Sequence, residues 1–127
     1  MNAGLLAVTR ASLAALAVLS LAACAPSGVS YKKDVQPILT KYCAECHTPG
    51  GKGFVASGLD VTSYATLMKG TKFGPVVKPG DALTSTLNML VEGRANAAIR
   101  MPHGRAKLPD KDIATLKAWV NEGAKDN

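Results

Sequence analysis

Residues 34–47 read DVQPILTKYCAECH. Val35, Ile38, Leu39 and Tyr42 recur at i, i+3, i+4 and i+7, which is one face of an α-helix. Pro37 falls in the first turn of a helix that starts near Asp34, where a missing N–H costs little. The spacing therefore predicts a helix that delivers Cys43 near its end.

That end carries the chemistry. Cys43-Ala44-Glu45-Cys46-His47 is a C-x-x-C-H string, which in an exported chain reads as a c-type haem attachment site. Two thiols three positions apart at a helix end can each add to one of the two haem vinyl groups. The next residue, His47, is then placed under the iron as proximal axial ligand. Three other readings compete. A redox C-x-x-C needs a thioredoxin-like βαβ setting, and no such pattern is present. A structural zinc site needs four ligands, and only Cys43, Cys46, His47 and His103 are on offer. A plain disulfide leaves His47 without a role.

Working outward, the remaining periodic stretches are short. One helix is predicted over about 63–69, with Ser63 as cap and Gly70 as stop. A second covers about 85–92 and stops at Gly93. The last runs over about 110–122, with Asp110 and Asp112 at its positive end and Gly123 after it. Ile113, Leu116, Trp119 and Val120 form its buried face. The LDV at 59–61 and PVV at 75–77 give only a weak β signal. Loops are long for this size, as suits a chain that uses a cofactor as part of its core.

A haem iron on His47 has a sixth position, for which Met68, Met89, Met101 and His103 are available. Met68 and Met89 sit in helical stretches among leucines, where a packing role is expected. Met101 precedes Pro102, and the residue before a proline is pushed toward extended backbone. An extended loop can carry a thioether across an open haem face. His103 is the rival; bis-His ligation lowers the potential, whereas His/Met raises it.

Residues 1–23 stand apart. Arg10 precedes the apolar run ASLAALAVLSLAA at 11–23, which is shorter than the ~20 residues a spanning helix needs. Leu21-Ala22-Ala23-Cys24 resembles the lipobox of bacterial lipoproteins, in which the Cys is acylated and the signal is cut before it. The expected organisation is therefore a removed signal at 1–23, lipidated Cys24 with a short linker to residue 29, and one domain over 30–127. Acyl chains contribute ~0.8 kcal/mol per buried methylene, so more than one gives stable anchoring. Ala25 in place of Asp favours the outer membrane, with the domain in the periplasm.

The composition narrows the function classes. A chain of 127 residues allows one domain. A charged fraction of 19% beside 47% hydrophobic residues excludes a disordered tail. Three cysteines exclude a disulfide-dense scaffold. The net charge of +6 suits an acidic partner surface or anionic lipid, and without a clustered basic stripe it is weak evidence for nucleic acid.

Taken together, the domain resembles the small mono-haem cytochromes c of the planctomycete type. The matching pieces are DVQPILTKYCAECH at 34–47, SGLDVTSYATLMKG at 57–70, GPVVKPGD at 74–81, Met101-Pro102, and LPDKDIATLKAWVNEGA at 108–124. They follow in the family's order over nearly all of 30–127. One departure is Thr48-Pro49, where the family often has a small residue after the haem His. The resemblance implies an all-α fold in which the first and last helices cross, with short middle helices and loops enclosing one covalent haem c. It also implies that Met101 is the distal ligand.

A closed His/Met site leaves one-electron exchange at the haem edge, so the expected function is a membrane-anchored electron carrier and not an enzyme. Its expected partners are redox proteins with acidic surfaces; neither nucleic acid nor a small-molecule substrate is expected. Lys41, Lys52, Lys69, Lys72, Lys78, Arg94, Arg100, Arg105 and Lys107 would steer such a partner. Two alternatives remain. An open sixth position would make a haem-based ligand binder or peroxidase-like site, and a stable complex would make an electron-entry subunit of a larger oxidoreductase.

Overall fold

A computed structural model describes residues 28–127. The signal at 1–23 and Cys24 lie outside the described residues. The described part is helical, with no strand. The weak β signals resolve as extended loop pieces, and the one β-type pairing is an isolated bridge between Thr71 and Gly74.

The first helical run starts earlier than the periodicity predicts. Ser30 caps it, its hydroxyl accepting the Lys33 N–H at 3.2 Å. A π-helical turn, Tyr31–Val35, leads directly into α1, Gln36–Tyr42. The wide turn lies just ahead of Pro37, which cannot donate and whose ring crowds the preceding turn of a regular helix. Tyr31, Val35, Ile38 and Leu39 are buried.

α2, Lys52–Ser57, is a helix the sequence does not announce, since it holds Gly53 and no apolar repeat. α3, Tyr64–Lys69, begins at Ser63 as expected. Ser63 and Thr66 form a reciprocal capping box, with the Thr66 N–H donating to the Ser63 hydroxyl at 3.1 Å. Gly70 ends it at φ 81°, where a side chain would also strike the Gly74 carbonyl. α4, Thr86–Val91, and α5, Asp110–Asn121, match the predicted elements within a residue or two.

All four predicted core residues of α5 are buried: Ile113, Leu116, Trp119 and Val120. α5 packs on the π-helical turn and on α4, so the meeting of first and last helical segments is made by the turn at 31–35. Its centre is an aromatic cluster. The Tyr31 ring lies 5.2 Å from Tyr64, edge to face, and 5.6 Å from Trp119. Such pairs add about 0.5–1.5 kcal/mol each beyond area burial. Trp119 Nε1 donates to the Lys125 carbonyl at 3.0 Å and the Tyr64 hydroxyl to that of Ala124 at 2.9 Å, whereas the buried Tyr31 hydroxyl has no partner.

The two ends of the domain are joined. The Tyr31 N–H donates to Asn127 Oδ1 at 2.7 Å, the Lys32 N–H to the Asn127 carbonyl at 3.0 Å, and the Val29 N–H to Glu122 at 2.7 Å. A surface concavity lies there, lined by Gly28–Ser30, Lys33, Asp34, Thr115 and Asn127. None of these is a candidate ligand.

Candidate functional site

Cys43 caps the C-terminus of α1, its N–H donating to the Leu39 carbonyl at 2.9 Å. From there the chain folds back on itself. The Cys46 and His47 N–H groups both donate to the Cys43 carbonyl, at 3.1 and 2.9 Å. One turn thus gathers Cys43, Cys46 and His47, as the spacing requires. Both cysteines are free thiols, Cys43 half-buried and Cys46 exposed. Burial pushes the Cys43 thiol up to about 11, and the neighbouring Cys46 adds to the effect.

Two loops brace the turn. The Phe54 N–H of α2 donates to the Cys46 carbonyl at 2.8 Å, and the Val61 N–H donates to the His47 carbonyl at 2.9 Å. Gly51 and Gly53 permit this closeness. A Cβ at Gly51 would sit 2.5 Å from the Cys46 carbonyl oxygen, and one at Gly53 would sit 2.6 Å from His47 Cε1. The unannounced helix α2 therefore forms a floor against the imidazole. Neither glycine stood out in the sequence, because their need arises from a neighbour outside their own element.

His47 Nδ1 is buried and makes no hydrogen bond. Burial holds the ring's pKa below its ordinary value, and the Leu59 backbone, near the ring but outside hydrogen-bond geometry, pulls the other way. A neutral imidazole is the form that ligates a metal.

Met101 lies on the loop after a 3₁₀ turn at Ala97–Ile99, half-buried and packed against the core. Its N–H donates to the Leu90 carbonyl of α4 at 3.2 Å. Met68 is likewise packed against the core, as expected, and Met89 is half-buried. His103 is exposed. The loop beyond Met101 reaches the cysteine turn, because Arg105 Nη2 donates to Glu45 Oε1 at 2.6 Å. Arg105 holds the Glu45 carboxyl below its ordinary value. Among the described residues no group of three or more His, Cys, Asp or Glu side chains could enclose a metal ion, so Cys43, Cys46, His47 and His103 do not form a zinc cage.

These residues fit a covalently held haem. Two thiols share a turn with an imidazole whose ring is cradled by glycine and whose Nδ1 is an orphan. A buried donor or acceptor without a partner is costly unless something else in the assembled protein compensates.

The family model described as "Cytochrome C oxidase, cbb3-type, subunit III" matches residues 32–120. That span begins in the π-helical turn and ends in α5, taking in the whole site. No curated protein and no solved structure matches the chain at a significant level.

Proposed function

Because the chain belongs to the family described as cytochrome c oxidase, cbb3-type, subunit III, we propose that it is a periplasmic one-electron carrier, anchored to a membrane through lipidated Cys24. Its cytochrome c domain is that of a haem-based electron-transfer protein. In this reading Cys43 and Cys46 would hold one haem c through thioethers, and His47 and Met101 would ligate its iron. The observation that carries it is the single turn that brings both thiols to an imidazole resting on Gly53. The planctomycete-type resemblance and the lipobox at Leu21–Cys24 support the finer assignments.

When bound, the haem supplies a reversible Fe(III)/Fe(II) couple with little rearrangement of ligands. The chain's own residues set the conditions. Burial keeps His47 neutral and available to the iron. Gly53 and segment 59–61 fix its ring and carbonyl. The hydrogen bond from the Met101 N–H to Leu90 fixes the loop that brings the thioether, and the Glu45–Arg105 pair ties that loop to the cysteine turn. The partner proposed is a redox protein with an acidic face. Lys41, Lys52, Lys69, Lys72 and Lys78 are exposed, whereas Arg94, Arg105 and Lys107 are engaged by Glu92, Glu45 and Asp110.

The test is spectroscopic, on the domain expressed with a haem-attachment system. The ferric protein should show the weak red band of iron–thioether bonding, and carbon monoxide should leave the ferrous spectrum unchanged. Met101→Ala should abolish the band and admit carbon monoxide, while His103→Ala should do neither. Ready carbon monoxide binding by the unaltered protein would make a ligand-binding or peroxidase-like site the better reading.

A second reading has an observation behind it: the matching family is described as an oxidase subunit. The chain would then pass electrons into a larger oxidoreductase. Co-purification of oxidase subunits from solubilised membranes supports it, and isolation of the chain alone under mild detergent removes it.

A further inference from the structure

We propose that the outer face of α2, together with the turn at 71–74, is the surface on which an acidic redox partner docks, with Phe73 and Val55 as its apolar centre. The inference rests on the electron-carrier reading above and places the exchange on one side of the molecule. Phe73 is 81% exposed and Val55 71%. Single exposed apolar side chains are ordinary on a protein surface. These two stand out because their segments are joined. The Lys72 N–H donates to the Ser57 carbonyl at 2.9 Å, at the C-terminal end of α2.

Phe73 is also held in place. Thr71 and Gly74 exchange backbone hydrogen bonds at 2.9 and 3.1 Å, and the Phe73 N–H donates to Thr71 Oγ1 at 3.0 Å. The Lys72 ammonium lies 5.2 Å from the centroid of the Phe73 ring. An aromatic ring displayed on a braced turn has little freedom left to lose on binding, as suits the anchor of an interface. Charge selects the partner. Lys52, Lys69 and Lys72 are exposed on α2, at the end of α3 and on this turn. None of them takes part in the three ion pairs among the described residues. Asp60 is the one acid between Cys46 and Gly80. A cationic rim about an apolar centre fits a partner whose own apolar contact is ringed by carboxylates.

Position ties this surface to the site. Gly53 lies against the His47 ring. Val55, two residues on, is about 200° further round the helix and so faces away from the ring. A partner on that face is separated from the candidate iron ligand by a single helix, ~10 Å thick. The step is the passage of one electron: the partner's cofactor is oxidised by one electron, ferric iron is reduced to ferrous, and no bond is made or broken. The pole where the chain enters is closed by hydrogen bonds from Asn127 to Ser30, Tyr31 and Lys32, which involve neither α2 nor this turn. An anchor at that pole leaves the surface to a protein and not to lipid.

The experiment uses the haem-loaded full chain and two probes: fully reduced flavodoxin, an acidic one-electron donor, and ascorbate, a small donor that needs no docking surface. Stopped-flow reduction by flavodoxin should slow by about fivefold or more in Phe73→Ser and in Val55→Ser, while reduction by ascorbate stays unchanged in both. Lys72→Gln should slow the flavodoxin reaction at low salt and flatten its salt dependence. Leu83→Ser removes a comparably exposed apolar side chain from another loop and should change neither rate. Unaltered flavodoxin rates in the Phe73 and Val55 variants overturn the proposal, as does an equal loss in Leu83→Ser. Two other outcomes overturn it by giving the surface another occupant. One is loss of binding to phosphatidylglycerol vesicles in Phe73→Ser with the flavodoxin rate kept. The other is dissociation of a dimer by the same substitution, seen by sedimentation. Absence of covalent haem from the unaltered chain, seen by a pyridine haemochrome assay, would instead defeat the haem reading itself.

Discussion

A methyl group at position 53 has nowhere to go, because it would lie 2.6 Å from a ring carbon of His47. Gly53→Ala is therefore expected to displace the imidazole while leaving the thioethers able to form. Haem should still be attached, but electronic spectra should show weakened or lost low-spin ligation; an unchanged spectrum would mean the ring has another place to rest. Tyr31 gives the opposite case. Its hydroxyl is buried without a partner, and burial, followed by Asp126 and Tyr64, raises its pKa. Tyr31→Phe removes that orphan and keeps the aromatic cluster, so stability should hold or rise by up to about 1 kcal/mol. Thermal melts check this, and a clear loss would reveal a partner for the hydroxyl. At this scale the turn that gathers Cys43, Cys46 and His47 was legible, since their spacing alone brings these candidate ligands together. Gly53 was not, because the demand for a missing side chain comes from a histidine six residues away across a loop.

Between elements, the turn bearing the cysteines and the loop bearing Met101 are linked by the Glu45–Arg105 pair. Arg105 lowers the Glu45 pKa, so the pair is complete above the ordinary carboxylate range and is lost as pH falls through that lowered value. Near neutral pH its contribution should not vary with pH. Both side chains are exposed, so salt weakens the link. Glu45→Gln should lower the thermal midpoint of the protein slightly at low salt, with the difference shrinking at high salt. No difference from the unaltered protein at low salt would mean the loop is held without the pair. Periodicity and capping found α3, α4 and α5, because Ser63, Gly70, Gly93 and the apolar face at 113–120 are local signals. They missed α2, which is short and glycine-bearing and is held by the Phe54–Cys46 hydrogen bond, and they misplaced the first start because a π-helical turn shifts the register ahead of Pro37.

For the molecule as a whole, charge is distributed unevenly along the chain. From Cys46 to Gly80 there is one acid, Asp60, against Lys52, Lys69, Lys72 and Lys78. Electron transfer to an acidic partner should slow as ionic strength rises, measured by stopped-flow reduction at several salt concentrations. A flat response would show that this surface does not guide encounter. The joined chain ends carry a different consequence. Asn127 is bonded to Ser30, Tyr31 and Lys32, so residues entering at 28 and leaving at 127 do so side by side. Residues 25–29 reach at most roughly 18 Å when fully extended. With Cys24 in the bilayer, the molecule would ride with this pole downward, like a buoy on a short mooring line. A fluorophore attached at Asn127 would then be quenched by nitroxide-labelled lipid headgroups, while one placed on α2 would report from another height.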